Sequence, residues 1–484
     1  MAISGRVTAV LSMLLTWIAT ARGDARAAVL GPAVMPYVVA GGPQVAVVDV
    51  RVIDGTGAAA REHQTVLFRD GRIARADAAA RVQLDSGVTR IDGRRKTLIP
   101  GLVGTHDHLF YVSGPRPDGF FIMREQWYSF PRLYLAGGVT TLRTAGSVEP
   151  YTDLNLRRLI DDGTVPGPSL DVTAPYLTGP SQVYVQMAQL HDEDEARRTV
   201  RYWASMGATS FKLYTEVSLT VARAVIEEAH ALHLPVLGHL CSIGFHEAAE
   251  LGIDSLEHGI FVDSEFDPEK KPDACPATAS FHGAMLATDS DGPKMQALIA
   301  DLVAHHVAVS STLPIYETFG SRPLDERTVG LLAPEVRVDV EAWKQRLLTS
   351  PVTSEYEALL RKEMRFERAF VHAGGLLTVG PDPTGAGAVV AGYGDQRCLE
   401  LLVDAGFSAT EAIKIATRNG AELLQRLDNV GTIEVGKRAD AVLIDGDPST
   451  RIADVEKVEI VFKEGVGYDS ARMIQSVRGN VGRR

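Results

Sequence analysis

The stretch "LIPGLVGTHDHLF" (residues 98–110) places a His-Asp-His triplet at the end of an apolar run. A short apolar run of this kind is typical of a buried strand. Residues i and i+2 of a strand face the same way, so His106 and His108 should point together and Asp107 away from them. Two imidazoles on one side of a strand end could form half of a metal site, or they could be polar residues that cap a loop. The choice depends on the rest of the chain.

Downstream of this stretch, strand-like and helix-like segments alternate from Thr97 to about Gln425. One helical segment, "DEDEARRTVRYWASMG" (192–207), begins with acidic residues and ends in glycine, as helices do. Repeated strand–helix units imply parallel strands, and eight of them predict an α/β fold with a (β/α)8 TIM-like barrel. The candidate strands are 97–106, 139–145, 169–176, 209–215, 235–240, 254–259, 307–313 and 376–382.

The segments on either side of the barrel consist of short strands and turns. The first contains a hairpin signal, "RDGRI" (69–73), and the second contains "GTIEVGKRADAVLIDGDPS" (431–449). Neither has enough core alone, so we expect the N- and C-terminal segments to combine into one small β-sandwich domain. The expected parts are a sandwich half at 28–98, the barrel at 99–428 and the second sandwich half at 429–475. Two long connections, 261–304 and 314–350, are predicted to be inserts, the first over the barrel mouth.

Composition and charge narrow the function classes. The 484 residues are 45% hydrophobic and 23% charged, with a net charge of −12 and no basic cluster, which argues against nucleic-acid binding. The three cysteines, Cys241, Cys275 and Cys398, are few, and their number is odd, so they do not indicate a disulfide framework. Cys241 lies in an apolar stretch and is expected to be a small core residue.

The first 27 residues have the pattern of a secretory signal peptide. Arg6 precedes an apolar run at 7–19, and two small-residue sites follow at 19–21 and 25–27. We therefore expect an exported protein, periplasmic or secreted, with no stable membrane span after cleavage; an uncleaved anchor is the alternative. The expected partner is a small-molecule substrate, and a homo-oligomer is left open.

Barrel enzymes carry their chemistry at the carboxyl ends of the strands. Imidazoles and carboxylates suit Zn²⁺ and its neighbours. Four histidines and one aspartate are too many for one tetrahedral ion with an open position, so two divalent ions are expected, with zinc as the first choice. The predicted strand ends carry His106, His108, Lys212, His239, His258 and Asp382.

Lys212 is expected to link the two ions. A cationic lysine would repel them, but nearby positive charge favours the neutral amine. Condensed with CO₂, that amine becomes an anionic carbamate (N6-carboxylysine), and its two oxygens can each hold one ion. The first ion would then bind His106, His108 and Asp382, and the second His239 and His258. Glu257, beside His258, is expected to support the site.

These motifs resemble those of the amidohydrolase superfamily, in the branch with imidazolonepropionase-like and prolidase-like members. "PGLVGTHDH" (100–108) is similar to that family's PG-x-x-D-x-H-x-H, and "FKLY" (211–214) resembles its carboxylated-lysine strand. The resemblance covers about residues 44–470. One departure is Gly104, which stands where relatives have an aspartate that orients the ligand loop. The remaining similar segments are "GHL" (238–240), "SLEHG" (255–259), "VGPDP" (379–383), "ATRNGAELL" (416–424) and the return at 431–448.

Three further residues are candidates for substrate binding at the mouth. Arg143, after strand 2, could hold a substrate carboxylate, or it could pair with Glu149 or a neighbouring loop. Tyr111 and Tyr214 are similar candidates. The remaining nine of the 13 histidines need no functional role.

The expected activity is hydrolysis of an amide C–N bond in a small substrate, such as a dipeptide, an N-acyl amino acid or a cyclic amide. A hydroxide that bridges the two ions would attack, and Asp382 would act as general base and then general acid. The alternatives are a lactonase or phosphotriesterase on the same site, a mononuclear deaminase and a non-catalytic barrel protein. Lys212 argues against the deaminase, and the presence of all six ligands argues against the non-catalytic protein.

Overall fold

The computed structural model describes residues 30–113, 122–180, 186–384 and 387–483. Its strands are β1 (Val38–Ala40), β2 (Gln44–Val52), β3 (Arg61–Arg69), β4 (Arg72–Ala78), β5 (Thr89–Asp92), β6 (Thr97–Pro100), β7 (Leu102–Asp107), β8 (Phe110–Ser113), β9 (Ile122–Glu125), β10 (Val139–Thr144), β11 (Ser169–Asp171), β12 (Thr173–Thr178), β13 (Ala188–Gln189), β14 (Ser210–Leu213), β15 (Val236–Gly238), β16 (Ser255–Glu257), β17 (Ala308–Ser311), β18 (Leu377–Val379), β19 (Ala441–Ile444), β20 (Val458–Lys463) and β21 (Val466–Asp469). Its helices are α1 (Ser129–Gly137), α2 (Pro150–Asp161), α3 (Glu193–Met206), α4 (Leu219–Ala231), α5 (Phe245–Leu251), α6 (Thr278–Ala287), α7 (Pro293–Ala304), α8 (Leu313–Glu317), α9 (Glu326–Leu331), α10 (Pro334–Leu348), α11 (Val352–His372), α12 (Tyr393–Asp404), α13 (Ala409–Lys414), α14 (Gly420–Leu423) and α15 (Ser470–Val477).

Parallel strands form the centre of the molecule in a TIM barrel-like arrangement. β7, β10 and β11 pair in parallel, and a second parallel series runs in the order β12, β14, β15, β16, β17, β18. The last strand of that series lies beside the first barrel strand, where the backbone N–H of Asp382 donates to the carbonyl of His106 at 3.1 Å. Each predicted strand position therefore holds a strand, and the carboxyl ends of β7 and β18 meet.

The predicted first barrel strand is two strands. β6 belongs to the flanking sheet, where it pairs with β2 and β19, and β7 starts the barrel. Gly101 lies between them: its N–H donates to the carbonyl of Asp440, and a Cβ at this position would collide with the side chain of Thr140. The expectation of one strand over 97–106 is wrong because an unbroken apolar pattern does not reveal a change of sheet.

The N- and C-terminal segments share one nine-stranded mixed sheet in the described part of the chain. Its order is β1-β21-β20-β19-β6-β2-β3-β4, with β5 on β2. The expected pairing of the two segments is present, since β19 pairs antiparallel with β6 and β1 with β21. Val47, Phe68 and Leu443 pack in its core. The described strands do not separate into two packed sheets, so the sandwich form stays a prediction.

The helix expected at 192–207 is present as α3. The side chain of Asp192 accepts a hydrogen bond from the N–H of Glu195 at 2.7 Å, and Gly207 ends the helix at φ 100°. Such an N-cap is worth about 1 kcal/mol. Ala196, Val200 and Trp203 are the buried face, as helical spacing requires.

Cys241 and Cys275 form a disulfide, with Cα atoms 5.0 Å apart. Cys241 is buried, as expected of a small core residue, but the sequence did not predict that it is bonded: two cysteines 34 residues apart carry no recognisable spacing, and only the fold brings them together. The bond ties the loop after β15 to the long connection that precedes α6. Cys398 is free and buried.

Among the residues that the structure describes, no helix is both long and apolar enough to cross a bilayer. The predicted signal peptide at 1–27 lies outside the described residues.

Candidate metal centre

Three of the predicted ligands converge on one point. Nitrogen atoms of His106 and His108 and a carboxylate oxygen of Asp382 all lie within 4.8 Å of one another, and the three side chains are buried. His108 Nε2 and Asp382 Oδ1 are 3.1 Å apart. The alternation of β7 accounts for this: both histidines leave the strand on the same side, toward the end of β18.

Asp382 reaches the cluster through an unusual backbone conformation. It follows β18 with φ 49°, a left-handed conformation that Asp tolerates better than most residues. Thr384 donates from its hydroxyl to Asp382 Oδ1 at 3.0 Å. Burial raises the pKa of this carboxyl, but the hydrogen bond with His108 and the charges of His106 and Lys212 outweigh burial and hold the pKa below its ordinary value.

His239 and His258 extend the cluster on the side of β15 and β16. The His258 ring centroid lies 4.4 Å from that of His239 and 4.5 Å from that of His106. His258 also has a left-handed backbone, with φ 72°, and its Nδ1 lies 2.8 Å from Thr312 Oγ1. All four predicted histidine ligands therefore meet at the carboxyl ends of the parallel strands.

Lys212 lies on β14 inside the same cluster. Its side chain is 1% exposed, and Nζ is 3.3 Å from His106 Nε2. Among the described residues it forms no ion pair with a carboxylate, which is costly for a buried ammonium. Burial lowers its pKa to about 8, so a substantial fraction of the amine is neutral near physiological pH.

The imidazoles of the cluster are held in their neutral, metal-binding form. Burial and the nearby charge of Lys212 lower the pKa of His106 to about 4 and that of His239 to about 3. Burial also lowers the pKa of His108 and, together with its histidine neighbours, that of His258. Neutral nitrogen donors, one carboxylate and a partly neutral lysine are a donor set that fits divalent ions such as Zn²⁺.

Glu257 contacts the cluster through His106 and links it to Arg143. Its Oε2 is hydrogen-bonded to Nδ1 of His106, and its Oε1 accepts from Arg143 at 3.1 Å. Burial opposes its charge, but His106 and Arg143 lower its pKa to about 2. A carboxylate on Nδ1 leaves Nε2 free to bind a metal and fixes the ring orientation.

Arg143 does not face the mouth, so its expected role with a substrate carboxylate is wrong. It is buried in the barrel interior, where it also donates to the carbonyl of Thr105 at 2.9 Å. Tyr111 is corrected as well: it is fully buried and donates its hydroxyl to the carbonyl of Gly387 at 2.9 Å. Strand position indicates which residues lie near an end of the barrel, but it does not give the side-chain direction of a residue on a turn or on the inner face.

Tyr214 lies at the site, with its ring centroid 4.8 Å from that of His239. Sequence reasoning missed Tyr176, whose hydroxyl is 3.2 Å from His108 Nε2 and whose ring lies 5.6 Å from Lys212 Nζ. Tyr176 closes the predicted third strand, so the strand-end rule could have found it. Tyr316, with its ring 5.8 Å from His258, lies on α8 and had no such signal.

The departure at Gly104 has a structural counterpart. A Cβ at Gly104 would coincide with the carboxylate of Asp107, which folds back over the glycine. Asp107 is fully buried, and burial together with the charge of Asp395 raises its pKa well above the ordinary value. A carboxyl group thus lies beside position 104, although it comes from three residues further along the chain.

The comparisons with known proteins agree with this geometry. The model of the amidohydrolase family matches residues 97–467. No curated protein matches the chain at a significant level.

Solved structures resemble most of the chain. A Xaa-Pro dipeptidase with bound methionine is 19% identical with a TM-score of 0.67, and the match covers 88% of this chain and all of that one. A bottromycin amidohydrolase is 20% identical with a TM-score of 0.66 and coverages of 90% and 91%. The A. niger ochratoxinase is 16% identical with a TM-score of 0.61 and coverages of 88% and 95%. At these identities the likeness concerns the fold, whereas the family match spans most of the sequence. The chain therefore belongs to the amidohydrolase family and is a hydrolase that acts on carbon–nitrogen bonds.

Proposed function

We propose that this protein is a binuclear metal-dependent amidohydrolase that cleaves an amide bond of a small substrate. The observation that carries the proposal is the cluster of His106, His108 and Asp382, with Lys212 Nζ 3.3 Å from His106 and the rings of His239 and His258 beside it. Six donors in one buried cluster exceed what a single tetrahedral ion needs.

The donors divide into two groups by position. His106, His108 and Asp382 would hold one ion, and His239 and His258 the second. Lys212, converted to its carbamate, would reach both groups. Its Nζ lies 3.3 Å from His106 of the first group, and its strand, β14, pairs with β15, which leads to His239 of the second group. Zinc is the first choice of metal, since neutral imidazoles and carboxylates are borderline ligands.

Two bound divalent ions would acidify a water molecule and polarise the scissile carbonyl. The chain itself would move the proton. Asp382, ionised because its pKa is held low, would accept a proton and return it to the leaving nitrogen. Its hydrogen bond from Thr384 keeps the carboxylate oriented between these two roles.

The substrate class follows from the walls of the site. Phe110, Tyr176 and Tyr214 belong to one apolar cluster beside His108 and His239. Such walls suit a substrate with an apolar or aromatic group next to the amide: a dipeptide, an N-acyl amino acid or a cyclic amide. The names of the structural neighbours, among them a dipeptidase and an amidohydrolase, fall within this range.

We also propose that the protein is exported to the periplasm or the medium. The signal-like residues 1–27 and the disulfide between Cys241 and Cys275 support this, because disulfides persist in oxidising compartments. N-terminal sequencing of the native protein should give a start at Arg22 or Ala28. A cytoplasmic protein with Met1 intact would contradict the proposal.

The main test is metal analysis followed by a substrate screen. Two equivalents of metal and turnover of a dipeptide, N-acyl amino acid or cyclic amide are expected. Binding of one equivalent together with release of ammonia would instead indicate a mononuclear deaminase. If lactones or phosphotriesters are turned over faster than every amide, the protein is instead a lactonase or a phosphotriesterase. A protein that binds metal and turns over none of them would overturn the proposal.

A further inference from the structure

The backbone at His258 is strained, and the strain lies in a predicted metal ligand. His258 and Gly259 both have positive φ, at 72° and 58°, and they lead into a 3-10 turn at Gly259–Phe261. A non-glycine residue keeps such a conformation only where the surroundings impose it. The hydrogen bond from the N–H of His258 to the carbonyl of Ser310, at 3.1 Å, holds the start of the turn but not its far side.

The far side of the turn is covered by Glu363 on α11. This helix packs directly against the Gly259–Phe261 turn. A Cβ on Gly259 would overlap Oε1 of Glu363, so the carboxyl lies directly against the glycine. Glu363 is 1% exposed, and its carboxyl lies beside the backbone of Ile260 and Phe261, although neither oxygen has a hydrogen-bond partner of normal geometry among the described residues.

A carboxyl group in this position needs an explanation. Burial and the neighbouring Glu367 raise the pKa of Glu363 well above its ordinary value, which means that the charged carboxylate is unfavourable at this position. A buried polar group without a hydrogen-bond partner costs free energy, and an apolar residue of similar size would avoid that cost.

We propose that Glu363 is a positioning residue for His258: its side chain holds the Gly259–Phe261 turn and thereby aims the imidazole of His258 at the second metal. This inference rests on the two-metal centre proposed above. Glu363 itself does not touch the metal cluster; it acts through three backbone positions that follow the ligand.

The chain offers a matched control. Glu367 lies one turn further along α11, is fully buried and also has a raised pKa, to about 8, caused by burial. It lies near Ser311, which stands in the chain between the two partners of His258, Ser310 and Thr312, and not at the turn after His258. Loss of Glu367 therefore removes a comparable buried carboxyl without uncovering Gly259, so exchange at residues 259–261 is the measurement that separates the two variants.

The experiment compares E363M, E363Q and E367M in two measurements. Hydrogen exchange of the metal-free protein, read by mass spectrometry, should show faster exchange at residues 259–261 in E363M alone. Metal titration should show a roughly 10–100-fold weaker affinity for one of two equivalents in E363M, the range typical for loss of a group that orients a ligand. E363Q keeps a polar group of the same length against the turn, so both properties should stay as in the wild type.

If E363M does not fold, E363D takes its place, since it withdraws the carboxyl from the turn by one methylene and should behave in the same way. Unchanged exchange and two unchanged affinities in these variants would overturn the inference while leaving the two-metal proposal intact. Equal effects in E363M and E367M would also overturn it. A wild type that binds a single equivalent would instead refute the proposed function.

Discussion

Asp382 Oδ1 lies 3.1 Å from Nε2 of His108, although the two residues come from opposite ends of the barrel sequence. The contact exists because β18 returns to lie beside β7, where the N–H of Asp382 donates to the carbonyl of His106. The backbone hydrogen bond between Asp382 and His106 thus places the Asp382 carboxylate beside the ring of His108. This relationship makes Asp382 the most informative residue to change.

Replacing Asp382 with asparagine should separate metal binding from proton transfer. Asn keeps the size and one oxygen but cannot take a proton, and proton transfer by a placed group is worth roughly 10²–10⁴-fold in rate. We expect kcat to fall by at least about 10²-fold, with most of the metal retained and a smaller change in KM. Steady-state kinetics with metal analysis provide the measurement. A near-normal kcat would remove Asp382 from the mechanism.

Lys212→Ala should lose the link between the two ions and much of the bound metal. Short carboxylic acids can supply two oxygens in the space left by the side chain, so they should restore part of the activity. The measurement is metal content and turnover with and without added acid. Full metal occupancy and full activity in the alanine variant would contradict the carbamate bridge.

The stability of the metal-free protein should depend on pH through His106. Burial lowers its pKa to about 4, below the ordinary value of 6.5, so the unfolded chain binds the proton first as the pH falls. The contribution of neutral His106 is complete above pH 6.5 and is lost as the pH falls toward 4. The unfolding free energy of the wild type relative to H106N should fall by up to about 2 kcal/mol between pH 7.5 and 5.

Denaturant titrations at both pH values measure this difference. The buried carboxyls with raised pKa, such as Glu367, have the opposite pH dependence, but they are common to both proteins and cancel. A difference that does not change with pH would show that His106 is not held neutral.

The disulfide gives a further prediction. Thiol titration of the denatured, unreduced protein should find one free thiol, that of Cys398, rather than three. Replacing both Cys241 and Cys275 with serine should lower the unfolding free energy by about 2–4 kcal/mol, because the bond closes a loop of moderate length. Identical thermal melts with and without a reductant would contradict it; Cys398→Ala, which leaves the bond intact, is the control for general loss of a cysteine.

The residues of the cluster could be predicted to lie together because each depends only on a strand end. His106, His108, Lys212, His239, His258 and Asp382 all follow apolar β-branched runs, and parallel strands bring their carboxyl ends together. The barrel itself could be predicted for the same reason, since its signal is the repeated alternation of strand and helix.

The remaining features depend on direction and on distant contacts, which a strand pattern does not contain. Arg143 follows the same rule as the ligands, yet it turns into the barrel because Glu257 offers a buried partner there. The disulfide could not be predicted because it depends on a contact between the loop after β15 and the connection before α6. The left-handed backbone of His258 is imposed by its surroundings and leaves no mark in the local sequence.

The position of β6 has a consequence for the order of folding during synthesis. β6 lies in the sheet between β2, which precedes it closely, and β19, which the ribosome adds only after the entire barrel. Until residues 441–444 emerge, the nascent chain has an open, apolar strand edge, and such edges pair readily with other chains. The growing polypeptide is therefore open to such pairing for longer than a barrel alone would be, and chains that stop before β19 should accumulate as aggregates rather than as shortened enzymes.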